Sequence, residues 1–471
     1  MNYNKNPSIN NFTDLYDQLN NKKLPKINKI VELEKIYESD KIVESNNLFI
    51  SNDNNINKIS SVELDIIEIN LPKNPYLSSI TSKYIFNLDK ILSFNIYFLT
   101  TDITIINKNQ FILDQLQNNK LKLSNWNEEY KKYIIQAICS YTDLINKKIN
   151  IVSNYEKSNF VFILYNGNKN LGFSNTPHNL HILNTYNDGK ISIFINKNYI
   201  KSEDGIKPGS LQYLTLLHEI GHAFGLAHPH DNNFGSTIMP GIPFNNNILL
   251  NDCLIPQPWF GIGFNNINTV FTTIMGYNNY NYYLPDEDKS NTIEYGYPES
   301  LMPLDYAALF YLYKIKSFSN EYILKYGVST ISGLTKSKCI IGNNIDITFD
   351  NTCKDLLYYI DDFDNFSPNN SYPLMIKLNR VANKYSSIYP IAQNSSIYTI
   401  NFNNTQQSFI KINHVFTNKI INCTAPEIYV YLEIKPINIK NLVNLVVITF
   451  ESNITITINY SNNKTKVNII Y

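Results

Sequence analysis

Apolar and polar positions alternate over residues 92–98. Leu92, Phe94, Ile96 and Phe98 fall on one side and Ser93, Asn95 and Tyr97 on the other, which predicts a half-buried strand. The period then lengthens. Tyr130, Tyr133, Ile134, Ala137, Ile138, Tyr141, Leu144 and Ile145 recur at helical spacing, with Asn125 as the N-cap and Glu128 three residues later. Residues 160–165 and 191–196 are apolar runs of strand length. After them Leu214, Leu217, Gly221 and Phe224 form an apolar stripe on a second helix that Ser210 can cap, following Pro208-Gly209. Strand, long helix, two strands and a second helix predict an α/β layout.

The flanks read differently. Residues 1–78 are rich in Asn, Lys and Glu, with weak amphipathic patterns at 12–19 and 30–43, as in a spacer, a pro-segment or a partly disordered arm. Residues 79–320 hold the α/β pattern. From 321 to 471, Gly333, dense Asn/Ser/Thr turns and β-branched runs at 345–349, 397–402, 428–434 and 446–450 predict a separate all-β region. No fixed repeat is evident there. Gly-Gly-x-Gly-x-Asp nonapeptides are missing, so a calcium-binding β-roll is not supported.

Composition narrows the function. Forty basic and forty acidic residues among 471 give zero net charge, so no broad attraction to nucleic acid or to an anionic membrane is expected. Arg380 is the single arginine, which removes bidentate arginine clamps from nearly the whole chain. The polar surface is asparagine instead, at roughly 16% of residues. The apolar run at 445–450 is far shorter than the roughly 20 residues of a spanning helix, so membrane insertion is not expected. Residues 1–6 lack the basic and apolar pattern of a secretory signal, which leaves cytoplasmic action, packaging in a particle and unconventional export open. Cys139, Cys253, Cys339, Cys353 and Cys423 are scattered without CxxC spacing, which predicts neither a disulfide framework nor a cysteine metal site. Oligomeric state leaves no sequence signal.

Chemistry concentrates in one place. Four of the seven histidines lie in the thirteen residues from His218 to His230, with the spacing His218-Glu219-Ile220-Gly221-His222-Ala223-Phe224-Gly225-Leu226-Ala227-His228. Residues four apart on a helix share a face, so His218 and His222 can hold one zinc ion. Gly225 can take positive φ, end the helix and turn His228 back toward the metal. Three neutral imidazoles leave the fourth zinc position to water, as in a catalytic site. Glu219 stands beside the ligands, placed to accept a proton from that water and pass it to a leaving amine. By chance this pattern would arise on the order of once in a million such chains.

From His218 to His228 the chain resembles the metzincin zinc endopeptidases. Pro229 and the continuation His230-Asp231 resemble their serralysin-like branch. The resemblance covers roughly residues 80–315 and implies an α/β (α+β) domain with a twisted mixed sheet and two long helices. It also implies a tight turn beneath the metal built on a methionine. Met239 and Met275 both compete for that role; Met275 is favoured, because Tyr277 follows it at the serralysin offset and residues 295–297 and 302–313 resemble the closing segment and helix. Met239 then reads as a buried methionine in an inserted loop. By resemblance Tyr277 lies near the zinc, either as a displaceable ligand or as a donor to a developing oxyanion, and the strand at 191–196 takes the place of an edge strand that receives an extended peptide. The chain departs from the family in three ways. The span from His228 to Met275 is long, Lys314 stands where a glycine commonly ends the closing helix, and glycine-rich repeats are missing.

The expected function is therefore a zinc endopeptidase acting on proteins or peptides, with His218, His222 and His228 as ligands to one Zn²⁺ and Glu219 and Tyr277 as catalytic groups. The alternative is a binding or structural protein that keeps a metzincin scaffold and recognises its partner through the β-rich region. Two weaker features read as solvated surface: the loop pair His178 and His181, and the acidic run Asp361-Asp362-Phe363-Asp364.

Overall fold

The computed structural model describes residues 64–327 apart from 102, 107–108, 168–169, 183–188, 201–205, 243–248, 251–252, 255–267, 271 and 279–296, then the strands between 330 and 432 named below, 435–460 and 465–471. The acidic run at 361–364 and the segment 295–296 lie outside these residues.

In chain order the first unit contains β1 (Ile66–Glu68), α1 (Pro75–Ser78), β2 (Tyr84–Phe86), β3 (Ser93–Phe98), α2 (Ile103–Ile106), α3 (Gln110–Asn118), β4 (Lys122–Ser124), α4 (Glu128–Thr142), β5 (Lys148–Ile151), β6 (Phe160–Asn166), β7 (Gly172–Ser174), α5 (Pro177–Ile182), β8 (Ile191–Asn196), α6 (Leu211–Ala223), β9 (Leu249–Leu250), β10 (Cys253–Leu254), α7 (Pro303–Leu312) and α8 (Asn320–Tyr326). Its main sheet runs β5-β3-β6-β8-β7, with β4 paired to the far half of β6. β5, β3, β6 and β8 are parallel, whereas β4 and β7 run antiparallel to their neighbours, so the sheet is mixed.

Both faces of this sheet are covered, as parallel strands require. Phe94, Ile96, Phe160, Phe162 and Ile193 pack with Ile134, Ile138 and Tyr141 of α4 and Leu214 and Leu217 of α6. On the other face Tyr97, Val161, Ile163 and Phe194 pack with Ile112 of α3. The strand expected to be half-buried is thus buried on both sides. Leu92, counted with its apolar face, lies outside it and is 82% exposed.

Several local readings shift. α4 begins two residues later than Asn125 implies: Asn127 is the cap and its side chain accepts from Tyr130 N at 2.7 Å. Asn125 instead accepts from Thr101 N. The strand at 191–196 is not an edge. β8 is paired on both sides, and the edge is the three-residue β7. The core also extends past the expected boundaries. Leu64, Tyr76 and Leu77 belong to it at one end, and at the other α8 runs across residue 321 and buries Tyr322 against the same cluster.

Beyond α8 the described residues are β-structure: β11 (Thr330–Ile331), β12 (Lys338–Gly342), β13 (Asp346–Phe349), β14 (Leu357–Ile360), β15 (Ser387–Ala392), β16 (Ile397–Phe402), β17 (Gln407–Ile412), β18 (Asn418–Cys423), β19 (Glu427–Leu432), β20 (Asn438–Leu442), β21 (Leu445–Thr449), β22 (Thr455–Tyr460) and β23 (Lys466–Ile470). They form a sheet ordered β11-β13-β16-β18-β22-β21-β20 and another ordered β12-β15-β14-β17-β19-β23. From β16 to β19 successive strands alternate between the two sheets, and β18 and β19 each pair in parallel with the strand two before, β16 and β17. Ile397 pairs with Asn418 and Gln407 with Glu427, so one turn of this coil takes about 20 residues. The β20–β21 hairpin interrupts the coil before β22 and β23 extend it. Among the described residues no helix is long and apolar enough to cross a membrane.

Candidate metal centre

Ser210 caps α6 as the sequence implies, its Oγ accepting from Tyr213 N at 3.1 Å. The helix ends in a Schellman turn. Leu226 N donates to Gly221 O, Gly225 N donates to His222 O, and Gly225 has φ +87°. Phe224, just before the turn, is fully buried and its ring contacts Phe86, Phe94, Tyr141 and Phe160. The turn is therefore anchored in the core, and the chain leaving it brings His228 back over α6.

His218 and His222 lie one turn apart on α6, with ring centroids 4.7 Å apart and both side chains buried. His228 Nε2 lies 3.1 Å from His218 Nε2 and 2.9 Å from His222 Nε2. The other nitrogen of each ring settles what these short distances mean. His218 Nδ1 faces Ile274 O at 2.8 Å, His222 Nδ1 faces Leu226 O at 2.9 Å, and His228 Nδ1 faces Asp231 Oδ2 at 2.8 Å. Carbonyls and a carboxylate only accept, so each Nδ1 carries the proton and each Nε2 presents a lone pair. Three lone pairs aimed at one point repel one another unless a cation lies between them. Zn–N bonds of about 2.0–2.1 Å at tetrahedral angles place ligand nitrogens about 3.3 Å apart, close to the spacing here. This buried histidine cluster, with His230 beside it, can bind a metal ion.

Burial disfavours the charged form of three of these rings. Burial pushes His218 down to about 3, and burial together with the neighbouring imidazoles holds His222 and His230 well below the usual histidine range. Burial is the largest single influence on Asp231 and pushes it up, but the hydrogen bond and charge of His228, with His230 and the Asn233 N–H, together outweigh it and leave the carboxyl below its ordinary value. Asn233 donates to Asp231 from both its main chain, at 3.0 Å, and its side chain, at 2.8 Å. His228, His230 and Asp231 form a second group with metal-binding spacing. It shares His228, and its carboxylate already serves that ring's Nδ1–H.

The remaining candidates fall around this point. Glu219 is 6% exposed, and burial raises its carboxyl to about 8 against an opposing hydrogen bond from Ser174, whose Oγ lies 3.0 Å from Oε2. Tyr277 Oη lies 2.8 Å from His228 Nε2, and burial raises its phenol. His230 stacks on His228, centroids 4.8 Å apart, and lies tilted against Tyr277 at 4.5 Å, while His228 and Tyr277 also touch edge to face at 4.9 Å. Met275 is fully buried under α6: a Cβ added to Gly221 would lie 2.9 Å from its Sδ. Met239 is also buried, and its N–H donates to Pro229 O, so it braces the loop that follows His228. His178 and His181 pack on Tyr84 and belong to no metal-binding group among the described residues.

One support was not legible from spacing. Asp305, fully buried in the first turn of α7, accepts from Thr273 Oγ1 at 2.6 Å, Ile274 N at 3.0 Å and Met302 N at 2.8 Å. Ile274 is the residue whose carbonyl holds His218. Neither protein-family models nor curated proteins give a match to this chain.

Proposed function

We propose that the protein is a zinc-dependent endopeptidase of the metzincin type, similar in motif to the serralysin-like branch, with His218, His222 and His228 as the ligands. The observation that carries this reading is the convergence of three Nε2 lone pairs, each fixed by an acceptor on its Nδ1, with Glu219 following the first of these histidines on the same buried helix. Zinc in such a site supplies Lewis-acid polarisation of a peptide carbonyl and lowers the pKa of a water molecule.

The protein's own groups do the rest. Glu219 takes a proton from the attacking water and delivers it to the amine nitrogen as the peptide bond breaks. Tyr277 keeps its proton, because burial raises its phenol, and donates a hydrogen bond to the oxygen on which charge develops. Ile274 O, Leu226 O and Asp231 hold the three rings in one tautomer and orientation. The edge position of β7 suits an extended chain, which binds through main-chain hydrogen bonds and needs no free terminus. That favours internal peptide bonds of unfolded protein.

The test is direct. Purified protein carries about one zinc per chain and cleaves fluorescein-labelled casein; chelation and Glu219→Ala each abolish cleavage while the fold persists. Cleavage retained by Glu219→Ala would overturn the assignment.

A further inference from the structure

The edge strand does more than offer a place to bind. Leu171 O accepts from Asn196 N, and Asn175 N donates to Ser192 O, so residues 171, 173 and 175 exchange hydrogen bonds with β8. In an antiparallel ladder the alternate residues turn their main-chain groups the other way, which places those of Gly172 and Ser174 on the open edge. β7 also lies directly on α6. A Cβ at Gly172 would meet Thr215 Cγ2 and Phe194 O at 2.9 Å and Glu219 Cγ at 3.1 Å, so only glycine lets the strand approach this closely.

At Ser174 the strand touches the chemistry. Its Oγ lies 3.0 Å from Glu219 Oε2 and 3.1 Å from Glu219 O. We infer that Ser174 is a positioning residue: its hydroxyl holds Oε2 so that the other oxygen faces the scissile bond, while its main chain lies on the edge that receives the peptide. The same residue then sets the height of the substrate and the direction of the base. This inference rests on the endopeptidase reading of the site.

The consequence is a split between kinetic constants. Removing the hydroxyl leaves the main-chain edge intact, so KM holds. A carboxylate free to turn lowers kcat by about tenfold to a hundredfold, the factor that one hydrogen bond to an ionised group is worth. Ser174→Thr keeps the hydroxyl on a strand-compatible side chain and restores most of the loss.

The experiment uses the full chain. Wild type, Ser174→Ala, Ser174→Thr and Glu219→Ala are compared for zinc content, thermal midpoint and steady-state cleavage of a quenched peptide taken from a casein cleavage site. Reduced kcat at unchanged KM and zinc content in Ser174→Ala, with rescue in Ser174→Thr, supports the inference. Equal kcat in wild type and Ser174→Ala, or a loss confined to KM or zinc content, overturns it while leaving the endopeptidase reading standing. A zinc-loaded wild type that cleaves nothing overturns both.

Discussion

Replacing Glu219 by glutamine tests whether the proposed base is a carboxylate held at a cost in stability. Its ordinary value of 4.5 rises to about 8 in the fold because burial strips water from the charged form. An acid whose folded-state value is raised ionises first in the unfolded chain. The metal-free protein therefore loses stability as pH climbs from near 4.5 to near 8 and changes little beyond. At about 1.4 kcal/mol per unit, the shift gives about 3–5 kcal/mol at pH 8, the upper figure holding if no water relaxes around the carboxylate. Glutamine has the same shape and no charge to desolvate. Urea unfolding of chelator-treated wild type and Glu219→Gln, run from pH 5 to pH 9, should give curves that start close together and separate as pH rises, with the inactive variant the more stable. Parallel curves would refute the argument, because a constant gap has no titrating group behind it.

Other changes isolate other parts of the site. Asp231→Ala removes the acceptor that fixes the His228 ring and should weaken zinc binding by about tenfold to a hundredfold, read by competition with a chromogenic chelator. Gly225→Ala forces a side chain into φ +87° and places its Cβ 2.9 Å from Ile85 Cγ2, so it should cost about 1–3 kcal/mol in urea unfolding and lower zinc content by displacing His228. Lys314→Gly should do the opposite. Lys314 sits at φ 53° in the turn that ends α7, and glycine there should stabilise the fold by up to about 1 kcal/mol, raising the thermal midpoint without changing zinc affinity.

How much of this was legible depends on whether a contact is local. The α6 helix, its Ser210 cap, the Gly225 turn and the convergence of the three histidines all follow from residues within about twenty positions, where helical period and glycine stereochemistry decide the outcome. β8 could be read as a strand, but its place in the sheet could not, because β7 is three residues long and contains a glycine. The coil of the C-terminal region was hidden for a related reason. Its repeat is a register between main chains, and the β20–β21 hairpin breaks the spacing before the eye can find a period. The start of the first core escaped because its buried residues Leu64, Tyr76 and Leu77 lie on either side of a stretch broken by Pro72 and Pro75, so the apolar positions there keep neither the helical nor the strand period.

The parts of the site that escaped are those whose partners are distant in sequence and whose role is to hold another group. Ser174 reaches Glu219 across 45 positions and Asp305 reaches Ile274 across 31, and neither pairing leaves a motif. Yet Asp305 links three segments at once. It accepts from Ile274 N while Ile274 O accepts from His218 Nδ1, so the peptide unit on each side of Ile274 is fixed by a different element. Met275 next to it fills the space that Gly221 leaves on α6, and Tyr313 at the end of α7 donates to Phe224 O where α6 ends. α7 thus grips both the floor beneath the histidines and the turn that returns His228. A helix that contributes no histidine can in this way set the geometry of the cluster, since Nε2 atoms 2.9 and 3.1 Å apart tolerate little movement before three lone pairs no longer share one centre.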